Sequence, residues 1–215
     1  MRNEIQEVAT TLLVKHGYRG FKFGDLAQQL NCTRGAIHYH YRTKQNLVEA
    51  VIIEYVQKTQ EDFESIWRDT HLTLSHKILK ARDYNFLRYH KFNPTGVTGY
   101  PWSLISQMRS EPGLLSYKAA QALQNFGPAV DACVREAIAL AKGKGELRDD
   151  APVDDITLQI VSIINSAGPI TQDSGSFARL ARLYEATARI IAHAYGVDSG
   201  PDPHTQADHN HPAGL

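Results

Sequence analysis

The densest set of side chains suited to recognition chemistry is Thr33-Arg34-Gly35-Ala36-Ile37-His38-Tyr39-His40-Tyr41. The arginine fork matches paired acceptors on a guanine edge or a phosphate. Thr, His and Tyr add single hydrogen bonds, while Gly35 and Ala36 leave room for close approach. Lys22 before this run and Lys44 after it carry ammonium groups. A second cluster, His204, His209 and His211 with Asp202 and Asp208, offers imidazole and carboxylate to a transition metal. Its spacing matches no closed structural site. There is no Gly-rich phosphate loop, nucleophile elbow or HExxH helix, and no histidine has a sequence-evident catalytic partner. The expectation is therefore a binding protein, not an enzyme, with no cofactor.

Helices must position these groups. Ile5, Val8, Ala9, Leu12 and Leu13 follow the spacing of a one-sided helix that Gly17 should stop. A short helix fits Phe23 to Leu30, and Asn31-Cys32 makes a turn in which Asn tolerates the left-handed conformation. Thr33 can cap a third helix to about His40, and Thr43 a long fourth over about 44–68. Further helices are expected near 73–92, 102–110, 113–142, 154–168 and 176–195, separated by Gly and Pro breakers. Pro128 should kink the longest of them. No stretch alternates like a strand, so the fold class is all-α. Residues 197–215 lack basic and aromatic residues and are rich in Pro, Gly, Asp and His, which predicts a disordered tail.

Charge supports a division of labour. Lys plus Arg equals Asp plus Glu at 23 each, yet residues 1–46 hold seven basic against three acidic side chains. A basic head on an acidic body fits a nucleic-acid-binding segment joined to something else. A hydrophobic content of 42% excludes a wholly disordered chain. No apolar run approaches the roughly 18 residues of a membrane span, and the acidic N-terminus is unlike a secretion signal. Two cysteines, Cys32 and Cys133, form no CxxC pair, which fits a reduced cytoplasmic setting. Cys133 reads as a small core residue.

Three short helices with a tight turn between the second and third make a helix-turn-helix. Leu26, Ala27, Leu30, Ile37 and Tyr41 supply the apolar contacts between them. On geometry alone the pattern also fits a small helical bundle whose exposed face is basic. The run from Gly17 to Ile52 resembles the DNA-binding domain of the TetR family of bacterial regulators. The resemblance rests on Gly17-Tyr18, Asp25-Leu26-Ala27, Thr33-Arg34-Gly35 and His40-Tyr41-Arg42-Thr43-Lys44 followed by Leu47. It implies that Thr33, His40 and Lys44 bind phosphates, the last assisted by a helix N-terminus. Arg34 would read guanine, Gly35 and Ala36 would allow close approach, and Tyr39 would lie along the backbone. Two positions depart from the family. His38 stands where a tyrosine is usual, with shorter reach. Lys22 stands where Ser or Thr commonly caps the second helix, losing that bond while gaining a possible backbone contact.

The same resemblance implies residues 1–46 as the DNA-binding domain and 47–196 as a helical effector-binding and dimerisation domain. It also implies a homodimer that represses from a palindromic operator on double-stranded DNA until a small molecule releases it. Phe177, Leu180, Tyr184 and Ile191 form one stripe of the last helix, and Leu183, Ile190 and Ala194 another. Ile156, Ile160, Ile163 and Ile164 line the helix before it. Helices apolar on two faces are buried on two sides, which fits a dimer interface. An aromatic or apolar effector would lie among Tyr84, Arg88, Tyr89, Phe92, Trp102, Gln107, Met108, Tyr117, Asn125 and Phe126. Tyr100 occupies a position where some relatives carry a cysteine, so thiol sensing is not implied there. The rival reading is a metal-responsive regulator that uses the C-terminal histidines.

Overall fold

In the computed structural model, which describes residues 1–197, nine α-helices follow one another: α1 (Arg2–Gly20), α2 (Phe23–Gln29), α3 (Arg34–His40), α4 (Lys44–Trp67), α5 (Leu74–Phe92), α6 (Leu104–Arg109), α7 (Tyr117–Gly143), α8 (Val153–Ser174) and α9 (Ala178–Tyr195). A 3-10 turn at Pro112–Leu114 leads into α7. Among the described residues there is no strand, only a lone antiparallel bridge between Leu147 and Gly196. No described helix is long and apolar enough to cross a membrane. The histidine cluster expected to be a possible metal site, and all but Val197 of the expected disordered tail, lie outside the described residues.

Side-chain caps start most of the helices. Thr33, Thr43, Thr73, Ser103 and Ser116 each accept a bond from the backbone N–H three residues ahead. Each cap satisfies one of the donors that a helix start leaves unpaired. Long α4 packs chiefly on α7, α7 on α8, and α9 on α5 and α8, while α1 rests on both α4 and α6. The core runs continuously from Ile5 and Leu13 through Leu47 and Trp67 to Ile138, Ile160 and Tyr184.

Three boundaries differ from those expected of the sequence. Gly17 breaks α1 with φ 67° and ψ −177°, but the chain resumes a helical turn and ends only at Gly20. The helix expected from 113 starts at Tyr117, because Ser116 caps there and the residues before it coil into the 3-10 turn. Helix α8 continues through Gly168-Pro169 to Ser174. Packing overrides the breakers: Ala167 and Thr171 are buried, and Trp102 donates its indole N–H to Thr171 Oγ1 at 2.7 Å. Gly168 provides closeness to α6, since a Cβ there would stand 2.7 Å from Ser106 Oγ. The helix stops at Gly175 with φ 65°, a left-handed C-cap. Helix α7 runs unbroken through Pro128.

Candidate nucleic-acid interface and ligand cavity

The turn between α2 and α3 is set by Asn31, whose φ of 48° is the one positive value at a non-glycine among the described residues. Cys32 N–H then bonds Ala27 O at 3.0 Å, closing the end of α2. Leu26, Ala27, Ile37 and Tyr41 are buried and lock the two helices together. With Ile37 facing inward, Thr33, Arg34, Gly35, His38, Tyr39 and His40 are exposed and Ala36 is half-buried. Tyr39, 86% exposed, has no packing role. It meets His40 edge to face at 5.4 Å.

Two side chains of this face are steered from α2. The His38 ring lies 4.9 Å from that of Phe23, and its Nδ1 is 3.3 Å from Arg42 O. Arg34 extends over Gly24, where an added Cβ would be 2.6 Å from Nη2. Gly24 therefore leaves the passage through which the guanidinium lies beside the first turn of α2. Lys22 occupies the N-cap position of α2 without a side-chain cap bond. Lys22, Arg34, Arg42 and Lys44 are ion-paired to no carboxylate among the described residues. Such a set of unpaired cations suits a phosphate backbone.

Lys44 is half-buried, with its ammonium 4.5 Å from the Tyr18 ring centre and 5.8 Å from that of Phe21. Desolvation holds its pKa below the usual lysine value, while the nearby Glu111 carboxylate acts in the opposite direction. Glu111, just beyond α6, accepts the N–H of Tyr18 at 3.0 Å and that of Arg19 at 3.3 Å. These donors are free because Gly17 has interrupted α1. A Cβ at Gly17 would stand 2.2 Å from Glu111 Oε1 and 2.9 Å from Gln107 Nε2. A carboxylate at the end of α6 thus closes the break in α1, beside the lysine that begins α4. From sequence, Gly17 reads only as a helix stop, and nothing there announces its contact with Glu111.

Two cavities meet at Arg88. An open cleft of about 690 Å³ lies between α1, α4 and α5, with Tyr55, Tyr84 and Arg88 in its wall. A much smaller cavity, of about 20 Å³, lies between α4, α5, α6, α7 and α8. It gathers Phe63, Trp102 and Phe126 with Asn85, Arg88 and Arg109. Of the residues expected to hold an effector, Tyr84 and Arg88 line the cleft, and Arg88, Trp102 and Phe126 line the cavity. Tyr89 is buried beside Trp102 with its hydroxyl on Thr98 O, and Met108 is core. Phe92 lines neither space, and Gln107 faces the Gly17 joint. Tyr117 and Asn125 are exposed on α7 and line neither, because that helix buries the Ala119, Leu123, Phe126 and Val130 stripe instead. Arg109, Thr59, Asn85 and Asn165 were missed. Each sits singly on its helix, and no local pattern distinguishes it from a polar side chain that faces solvent.

Arg88 is caged by aromatic rings. Its guanidinium carbon is 5.0 Å from the Tyr55 ring centre, 5.1 Å from that of Tyr84 and 5.9 Å from that of Trp102. It donates to the hydroxyls of Tyr55 and Tyr84, and Tyr84 in turn donates to Asp62 at 3.0 Å. Burial pushes the Tyr84 phenol up to about 12, with Arg88 acting against that rise. Arg109 donates to Asn165 Oδ1 and Leu123 O, both at 3.0 Å, and burial pulls its pKa below the usual arginine value.

Residues 5–51 match the model of the bacterial regulatory proteins of the tetR family. No curated protein matches the sequence. Among solved structures, a TetR transcriptional regulator from Chloroflexus aurantiacus is 17% identical with a TM-score of 0.74, over 92% of this chain and 96% of that one. The regulator FadR from Bacillus subtilis, in complex with stearoyl-CoA, is 14% identical with a TM-score of 0.63, over 89% and 98%. A putative transcriptional regulator from Saccharomonospora viridis, in complex with choline, is 18% identical with a TM-score of 0.69, over 92% and 98%. At these identities the likeness is one of fold.

Proposed function

We propose that this chain, a member of the TetR family of bacterial regulatory proteins by its N-terminal domain and its fold, is a cytoplasmic repressor. It holds a palindromic operator as a homodimer and is released by a small-molecule effector. Residues 1–46 bind DNA, and residues 47–196 dimerise and take up the effector. The observation that carries this reading is the α3 face, where exposed Arg34, His38, Tyr39 and His40 stand beside unpaired Lys22, Arg42 and Lys44.

Arg34 reads a base edge in the major groove, and Thr33, His40 and Lys44 hold phosphates on either side. Gly35 and Ala36 permit the approach, and Tyr39 lies along the backbone. The effector enters between the helices of the larger domain and favours a conformer in which α4 has moved. The paired recognition helices then no longer match successive half-sites. Ligands of both charge classes occur on this fold, stearoyl-CoA in FadR and choline in the Saccharomonospora protein.

Selection of binding sites from a random duplex pool tests the proposal. The expected product is one palindrome with half-site centres about 10–10.5 bp apart. A pool that stays random after repeated rounds contradicts sequence-specific binding.

A further inference from the structure

We propose that the effector is an organic carboxylate on an aromatic or aliphatic body, its charge held by Arg88 and Arg109 in the small cavity between α4, α5, α6, α7 and α8. This rests on the reading of the chain as an effector-released regulator and narrows it to one ligand class.

The cavity lining contains two arginines and no acid. Its other members are Thr59, Asn85, Ser103, Ser106 and Asn165, with aromatic and aliphatic residues completing the wall. Arginine stays charged inside a protein, and Arg88 and Arg109 are both half-buried. Arg88 and Arg109 nonetheless form no ion pair among the described residues. Arg88 reaches the nearest acid, Asp62, only through the Tyr84 hydroxyl. Arg109 has only neutral acceptors on Asn165 and Leu123. A single anion in the cavity that both line would supply the carboxylate partner that neither arginine has. The fork geometry of guanidinium suits a carboxylate, and the rings of Phe63, Trp102 and Phe126 suit the apolar body behind it.

The alternatives fit less well. The rings of Tyr55, Tyr84 and Trp102, which could box a quaternary ammonium, already enclose Arg88. The open cleft mixes Glu7, Glu54 and Asp62 with Lys58, Arg88 and Lys91, so its charge selects neither sign. At about 20 Å³ the cavity has room for little more than one water, so a ligand must part its walls. Ser103, Ser106 and Arg109 belong to the α6 segment, which continues into Glu111 at the α1 break. Occupancy therefore moves the element that touches the DNA-binding domain, and the ligand favours the parted conformer.

Matched probes test the class on the intact chain: benzoate, 3-phenylpropionate and octanoate, each beside its amide and primary amine, with inorganic phosphate as a further arm. Calorimetry and thermal shift read binding, and anisotropy of labelled operator reads release. At least one carboxylate should bind about tenfold or more tightly than its amide, as expected for a charge-assisted bond. Arg109→Gln and Arg88→Gln should bring acid and amide to equal affinity, while Arg109→Lys keeps part of the preference. Loss of that discrimination, with helical content and DNA binding intact, separates ligand recognition from a structural role. The proposal is overturned if no carboxylate outperforms its amide, if an amine or phosphate binds best, or if the preference survives both Gln variants. A carboxylate that binds through these arginines but leaves DNA bound would keep the site and refute effector release.

Discussion

Arg34 and Lys44 are both basic, exposed to different degrees, and should fail differently. Arg34→Ala is expected to lose about 1–3 kcal/mol on the operator and to relax preference at one base pair, because a bidentate base contact is removed. Lys44→Ala should weaken operator and random DNA alike and lower the salt slope by about one. Titrations of each variant against both duplexes at several salt concentrations check this. Equal losses on both duplexes for Arg34→Ala would remove its base-reading role. The composition of α3 was legible because side chains that recognise DNA need no distant partner to reveal their chemistry. The steering of Arg34 by Gly24 and of His38 by Phe23 was not, since both depend on how α2 crosses α3. Tyr84 supplies a pH prediction. Its phenol, ordinarily near 10, rises to about 12 in the folded chain, mainly through burial. A raised folded pKa means that this stabilisation is complete below pH about 10 and is lost as pH climbs towards 12. Tyr84→Phe should remove that part of the alkaline loss, as read by unfolding followed with pH.

The joint where α6 meets α1 is the clearest device at the scale of elements. Gly17 has φ 67° and ψ −177°, a conformation almost confined to glycine, and its missing Cβ leaves room for Glu111. Gly17→Ala should destabilise the protein by about 1–3 kcal/mol in chemical denaturation, through strain and displacement of the carboxylate. A variant as stable as the parent would show that the break in α1 is not needed. Most helices were readable from apolar spacing and from caps such as Thr33, Thr43 and Thr73, because both signals are local. Helix α8 was not readable past Gly168-Pro169, because Trp102 and Ser106 of a distant segment sustain it there. The same distance explains the cavity. Its arginines come from α5 and α6 and acquire meaning only when those helices converge.

For the whole molecule, the outward faces of α8 and α9 carry Leu158, Leu183 and Ile190, exposed by 67%, 38% and 55%. The neighbouring stripe of α9, from Leu180 through Tyr184 to Ile191, is in the core. Apolar side chains left outside a filled core fit a second subunit, and a two-fold pair would present two α3 helices to one palindrome. Leu183→Glu with Ile190→Glu should give a folded monomer in sedimentation, with specific DNA affinity reduced by at least about tenfold through lost bivalency. A dimer that persists unchanged would place the interface elsewhere. The central claim is sequence-specific binding by the α3 face, and it is tested most directly on the DNA flanking the protein's own gene. Labelled fragment, excess random competitor and two salt concentrations suffice. The account predicts a competitor-resistant complex of one dimer or more, abolished when α3 carries Arg34→Ala and Tyr39→Ala together. A complex that random DNA removes as readily as the specific fragment, at both salts, would contradict it.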